Sequence, residues 1–152
     1  MATMPTAVVP NATIVRHIDG DTILVRRGGV EQRVRLIGID TPETKKPNAP
    51  VECFGPEASA RLQSLLPDGS AVRLERDVEE LDDYDRVLAY VYRAEDGLFI
   101  NEAMAADGFA DVLSIKPNTA HADSIRAATD EARRERRGLW ATCPSAHAPA
   151  SG

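Results

Sequence analysis

The spacing of apolar residues changes period several times along the chain, and each change marks an element. Residues 13–18 (TIVRHI) and 22–27 (TILVRR) are β-branched and apolar, with the turn signal Asp19-Gly20-Asp21 between them. Gly28-Gly29 supplies a hairpin turn. Residues 30–39 (VEQRVRLIGI) then alternate, with Val34 and Leu36 on one face and Arg33 and Arg35 on the other. These segments predict a three-stranded meander.

Helical periodicity begins at residues 56–66 (PEASARLQSLL). Pro56 fits the first turn, Glu57 suits the positive helix end, and Ala58, Leu62, Leu65 and Leu66 form the apolar stripe. Strands are predicted at 71–76 and 87–93, separated by the acidic run 77–85, which reads as a solvated loop. A short helix is predicted at 101–107, with Asn101 as N-cap and Gly108 as its stop. A longer helix is predicted over 121–137, closed by Gly138. The expected class is α+β: a five-stranded oligonucleotide/oligosaccharide-binding (OB) barrel with three α-helices. Residues 1–11 read as a flexible N-terminal segment, 45–50 as a loop, and 141–152 as a flexible tail rich in Pro, Ala and Ser.

Bulk composition narrows the picture only a little. A length of 152 residues suits one domain. No apolar run reaches membrane-spanning length, and no stretch reads as a signal peptide. The formal charge of -6 argues against a binder that holds nucleic acid through a general basic surface. Aromatic residues are only 5%, so a base-stacking platform has to be small.

The chemistry-bearing residues lie in three pieces. Ile18-Asp19-Gly20-Asp21-Thr22 and Arg35-Leu36-Ile37-Gly38-Ile39-Asp40-Thr41-Pro42-Glu43-Thr44 bring carboxylates and one arginine together. Asp82-Asp83-Tyr84-Asp85-Arg86 adds a second arginine before a strand. Carboxylate oxygens suit a hard divalent cation, and a guanidinium fork suits a phosphate diester. Together they point to a metal-dependent nuclease.

These motifs resemble the staphylococcal nuclease (thermonuclease) family over residues 12–140. The matching segments are IDGDT (18–22), RLIGIDTPET (35–44), FGPEAS (54–59), DYDRVLAY (83–90), NEAMAADG (101–108), KPN (116–118) and RRGLW (136–140). The resemblance implies a Ca2+-dependent endonuclease that cleaves DNA and RNA to 3′-phosphate and 5′-hydroxyl ends. It implies Asp21, Asp40 and the Thr41 carbonyl as calcium ligands, with Asp19 supporting them from outside. Arg35 and Arg86 would hold the phosphate, Glu43 would deprotonate or orient the attacking water, and Tyr84 would donate to a substrate phosphate. It further suggests a structural pairing of His121 with Glu75, a secreted or cell-envelope setting, and a monomer.

Two departures bear on substrate binding. Asp83 and Asp85 stand where the family usually has a basic residue and a glycine, which should weaken mononucleotide binding. The stretch before Lys116 reads Asp111-Val112-Leu113-Ser114-Ile115 and lacks the stacking tyrosines of the family's best-known member. A binding module without catalysis is therefore the alternative, although the five residues Asp21, Asp40, Glu43, Arg35 and Arg86 favour the enzyme. His17 reads as a strand surface residue and His147 as part of the tail. Cys53 and Cys143 are either two separate thiols or a bridge. A bridge would close a loop of about 90 residues, worth roughly 4–5 kcal/mol in the chain-entropy model, and would imply an oxidising compartment.

Overall fold

A closed barrel of five strands forms the body of the protein. The computed structural model describes residues 6–44, 50–145 and 147–150. Most of the loop expected at 45–50 and part of the N-terminal segment lie outside them. The strands are β1 (Ala12–Asp19), β2 (Thr22–Arg27), β3 (Val30–Leu36), β5 (Ala71–Glu75) and β6 (Val87–Arg93). A separate two-stranded ribbon pairs β4 (Ile39–Asp40) with β7 (Asp111–Val112).

The predicted meander forms as antiparallel pairs β1–β2 and β2–β3, turning at Gly28 and Gly29, both at positive φ. The β1–β2 register shifts between Ile14 and Arg16 and again between His17 and Asp19. Such irregularities bend a strand and strengthen its twist, which helps the sheet curl shut. Closure comes from β6, which runs parallel to β3 and antiparallel to β5. Ile14, Ile23, Val25, Val34, Leu36, Val72 and Val91 fill the interior. Each such side chain, fully buried, contributes about 1.5–3 kcal/mol.

Helices α1 (Gly55–Leu65) and α2 (Ile100–Ala106) pack on the barrel, and α3 (Ala122–Arg134) packs chiefly on α2 and β7. The stripe expected in the first helix is buried at Ala58, Leu62 and Leu65, with Leu66 just beyond the helix end, and Pro56 occupies its first turn. A short fourth turn, α4 (Leu139–Thr142), follows Gly138. None of the helices among the described residues is long and apolar enough to cross a membrane.

Several sequence expectations need correction. The strand expected over 30–39 breaks after Leu36, where Gly38 adopts φ 87°. A side chain there would also collide, since a Cβ would lie 2.6 Å from Ile125 Cδ1. Asn101 is not an N-cap. It is fully buried inside α2, accepting from Val91 N at 2.8 Å and donating to Ile37 O at 2.8 Å and Ala89 O at 3.2 Å. His17 is half-buried rather than a surface residue, with Nε2 2.6 Å from Leu66 O. His121 packs edge-on against Tyr90 and Phe99, while Glu75 pairs with Arg73.

The acidic segment 77–85 is anchored, not simply solvated. Asp77 accepts from Tyr90 OH and Ala120 N, and Asn118 bonds the backbone of Glu79 through both its amide atoms. The tail, too, folds back. Cys53 and Cys143 are bridged, and Glu52 pairs with Pro149 as an antiparallel bridge.

Asn101→Ala would strand the Val91 N–H and two carbonyls in the interior. We expect a loss of roughly 2–4 kcal/mol, read by urea unfolding at neutral pH. An effect under about 1 kcal/mol would show that water replaces the amide.

Candidate active site

The bend between β1 and β2 and the turn between β3 and β4 meet at one end of the barrel. Gly20 makes the approach possible, because a Cβ there would sit 2.7 Å from Thr41 Oγ1. Asp21 is 8% exposed, accepts from Thr22 Oγ1 at 3.0 Å, and accepts from Thr41 N at 3.1 Å. Residues 21 and 41 are thus tied backbone to side chain across the two loops.

Arg35 emerges from β3 between the acidic groups. Its Nη2 lies 3.3 Å from Asp21 Oδ2 and 3.7 Å from Asp40 Oδ1. Its Nη1 donates to Leu36 O at 2.6 Å and Ile39 O at 2.8 Å. The guanidinium is therefore both a site cation and a clamp on the turn that presents Asp40. Asp40 ends the short strand β4 and keeps a side chain 32% exposed. Burial raises its carboxyl above the ordinary range, opposed by His147 and Arg35 and reinforced by Asp21.

Asp19, Asp21, Arg33, Arg35, Asp40, Glu43 and Arg86 all line one cavity of about 340 Å³. Asp19 Oδ1 accepts from Gly20 N, Thr44 Oγ1 and Ser59 Oγ, so it braces the loop. Thr41 is buried beside the cavity, and its hydroxyl has no hydrogen-bond partner among the described residues. The Glu43 backbone N–H donates to Glu52 Oε1 at 2.8 Å. Among the described residues, no three His, Cys, Asp or Glu side chains form a ready-made metal cage. Two carboxylates beside a backbone carbonyl and an orphaned hydroxyl fit a hard cation that keeps several water ligands.

Arg86 reaches the same cavity from the acidic segment. Asp82 holds it, with Oδ2 2.7 Å from Arg86 Nε and Oδ1 2.9 Å from both Tyr84 N and Arg86 N. Among the described residues neither terminal nitrogen of Arg86 has a hydrogen-bond partner. The guanidinium lies over the Tyr84 ring, 5.6 Å from its centroid. Asp85 takes φ 61°, so the aspartate at the glycine position does adopt the left-handed turn. An adjoining cavity is lined by Asp83, Tyr84, Leu113, Ile115 and Lys116, and it also touches Arg35 and Arg86. Leu113 and Ile115 are exposed there, so aliphatic groups form the wall.

Three residues that touch the site are not read as site residues in the sequence, and one of them, His147, reads only as part of the tail. Asp82 could have been read from its spacing to Arg86, since a short acid before a turn often caps the backbone beyond it. Glu52 and His147 carry no local signal. Only their proximity in sequence to the two cysteines hints at a meeting.

An OB barrel with acids and arginines gathered at one end is the class that fold and site define. The chain belongs to the staphylococcal nuclease homologue family, whose model matches residues 33–142. It is 41% identical over 127 residues to a thermonuclease of Staphylococcus hyicus, covering 84% of this chain and 73% of that protein. A thermonuclease of Staphylococcus intermedius is also 41% identical over 127 residues, covering 84% and 74%. Endonuclease YncB of Bacillus subtilis (strain 168) is 41% identical over 132 residues, covering 86% of this chain and 61% of that protein.

Burial pushes the Asp82 carboxyl upward, but hydrogen bonds from Arg86 and Tyr84 outweigh it and leave the pKa lowered. A lowered folded value stabilises above the unfolded value, and that contribution is lost as pH falls through the folded one. The window therefore lies below the ordinary value of 3.8. We expect Asp82→Asn to cost about 1.5 kcal/mol at neutral pH and to shrink the acid-side loss of stability, measured by urea unfolding across that range. An unchanged acid limb would assign the loss to other carboxyls.

Proposed function

We propose that the protein is a calcium-dependent endonuclease that hydrolyses phosphodiester bonds of DNA and RNA, leaving 3′-phosphate and 5′-hydroxyl ends. The observation that carries this reading is the shared cavity: Asp21, Asp40, Glu43, Arg35 and Arg86 line one space. The relatives named thermonuclease and endonuclease support the same reaction class.

Asp21, Asp40 and the Thr41 carbonyl are the groups we assign to calcium. When bound, that ion supplies Lewis-acid polarisation of a phosphoryl oxygen. The protein's own residues do the rest. Glu43, which lines the cavity, is our candidate to orient a water for in-line attack on phosphorus or to take its proton. Arg86 offers its terminal nitrogens to the phosphate oxygens, where donors matter most as charge grows in the transition state. Arg35 faces the same cavity, and its charge offsets the repulsion between the two ligand carboxylates, Asp21 at 3.3 Å and Asp40 at 3.7 Å. We assign Tyr84, which lies beside Arg86 and is 80% exposed, to a neighbouring phosphate.

The substrate meets a protein whose formal charge is -6. Binding then rests on the site's own cations, and the salt dependence should be shallow. The Cys53–Cys143 bridge supports a secreted or cell-envelope setting. A monomer is the simplest assembly for this site, since the five residues come from one chain.

Digestion of single-stranded DNA and of RNA, with calcium and with a chelator, tests the reading. We expect cleavage only with calcium. Arg86→Ala should lower turnover by several powers of ten and Glu43→Ala by a comparable factor. A loss below about tenfold, roughly 1.4 kcal/mol, would remove Arg86 from the catalytic set. Cleavage absent at every calcium concentration would leave a barrel that binds nucleic acid without cutting it. Products that accept a 5′ label without prior phosphatase treatment would confirm the polarity of the cut.

A further inference from the structure

The C-terminal segment enters the site region by a route that the nuclease chemistry above does not use. The disulfide brings Cys143 to Cys53, with Cα atoms 5.9 Å apart. Beyond it the chain runs antiparallel to residues 51–53. Cys53 N donates to Ala148 O at 2.7 Å, and Ala150 N donates to Val51 O at 2.9 Å. This strap places His147 in a second cavity, lined by Asp40, Thr41, Glu43, Glu52 and the imidazole itself.

The imidazole bridges two carboxylates. Its Nε2 lies 3.0 Å from Asp40 Oδ2, and its Nδ1 lies 2.8 Å from Glu52 Oε1. The same Glu52 oxygen accepts the backbone N–H of Glu43 at 2.8 Å. One side chain from the far end of the chain thus touches an assigned metal ligand and the acid that fixes the backbone of the water-side residue.

Asp40 needs that support. It closes a two-residue strand, and its other oxygen is 3.7 Å from Arg35, too long for a firm hydrogen bond. Partners of this kind orient ligating carboxylates and alter metal affinity even though they never touch the ion. We propose that His147 is a positioning residue of the metal site, delivered by the disulfide-anchored strap, which holds Asp40 in its ligating orientation and braces Glu43 through Glu52. The proposal rests on the assignment of Asp21, Asp40 and Thr41 to calcium.

A purely electrostatic role would have the opposite sign. A cationic imidazole beside a ligand carboxylate repels calcium, so its removal would tighten binding. Here Glu52 sits 2.8 Å from the same ring and balances it, which leaves orientation as the larger effect.

Calcium titration of the full chain, followed by the amide resonances of Asp40 and Thr41, separates these cases. We expect His147→Ala to weaken calcium binding about tenfold, the low end for such outer partners. Turnover at saturating calcium should stay about threefold low, because the bound cation restores Asp40 but not the brace on Glu43. His147→Gln, whose amide nitrogen can reach the place of Nε2, should recover most of the affinity. His147→Asn, which reproduces only the Nδ1 position, should recover less. Cys53→Ser/Cys143→Ser, provided its amide spectrum remains folded, should show the same weakening as His147→Ala. Unchanged or tighter binding in His147→Ala, with normal binding in the unsubstituted protein, would overturn this inference and leave the nuclease reading intact. No calcium response in the unsubstituted protein would overturn the metal assignment and this inference with it.

Discussion

The site depends on satisfying four carbonyls. Where β3 ends at Leu36 and the chain turns toward β4, the C=O groups of residues 36 to 39 find partners outside the barrel ladder. Arg35 Nη1 takes Leu36 O and Ile39 O, Asn101 takes Ile37 O, and Leu113 N takes Gly38 O. Each carbonyl is accounted for, as a buried turn requires. The result is a turn held from the strand before it, from helix α2 and from the chain beside β7. Asp40 and Thr41 follow directly, and their position relative to Asp21 is fixed by that set of bonds.

The two arginines consequently differ in kind. Arg35 is built into the frame, so replacing it disturbs the turn as well as the charge. Arg86 hangs from Asp82 on a segment of acids and meets the cavity with its terminal nitrogens. The negative net charge is compatible with the proposed phosphate contacts for this reason. The cations that matter are oriented by carboxylates nearby, and the acidic segment serves as their mount.

Much of this was legible in the sequence. The strands could be read because alternation and Gly-rich turns are local signals, and the α1 stripe because Leu62 recurs four residues after Ala58. The site acids and arginines could be read because they fall in short motifs. Other features had no such signature. Asn101 has the residue type and place of a helix cap, yet its amide is spent on β6 and on Ile37, 64 residues away in sequence. Nothing in the periodicity distinguishes those two uses. His147 sits in a Pro- and Ala-rich tail whose composition suggests mobility, and only tertiary pairing with residues 51–53 orders it. The break at Gly38 was visible as a glycine, but its reason, the close approach of Ile125, belongs to packing.

The bridge between Cys53 and Cys143 has a further consequence for survival among proteases. It spans 90 positions, and that span contains Glu79, Leu81 and Tyr84, all exposed. A single backbone cut there severs the chain but not the molecule, because both pieces remain covalently joined. The fragments keep a high effective concentration for one another, and the barrel's strand pairs on either side of the cut need not be lost. A nick outside the span has no such safeguard.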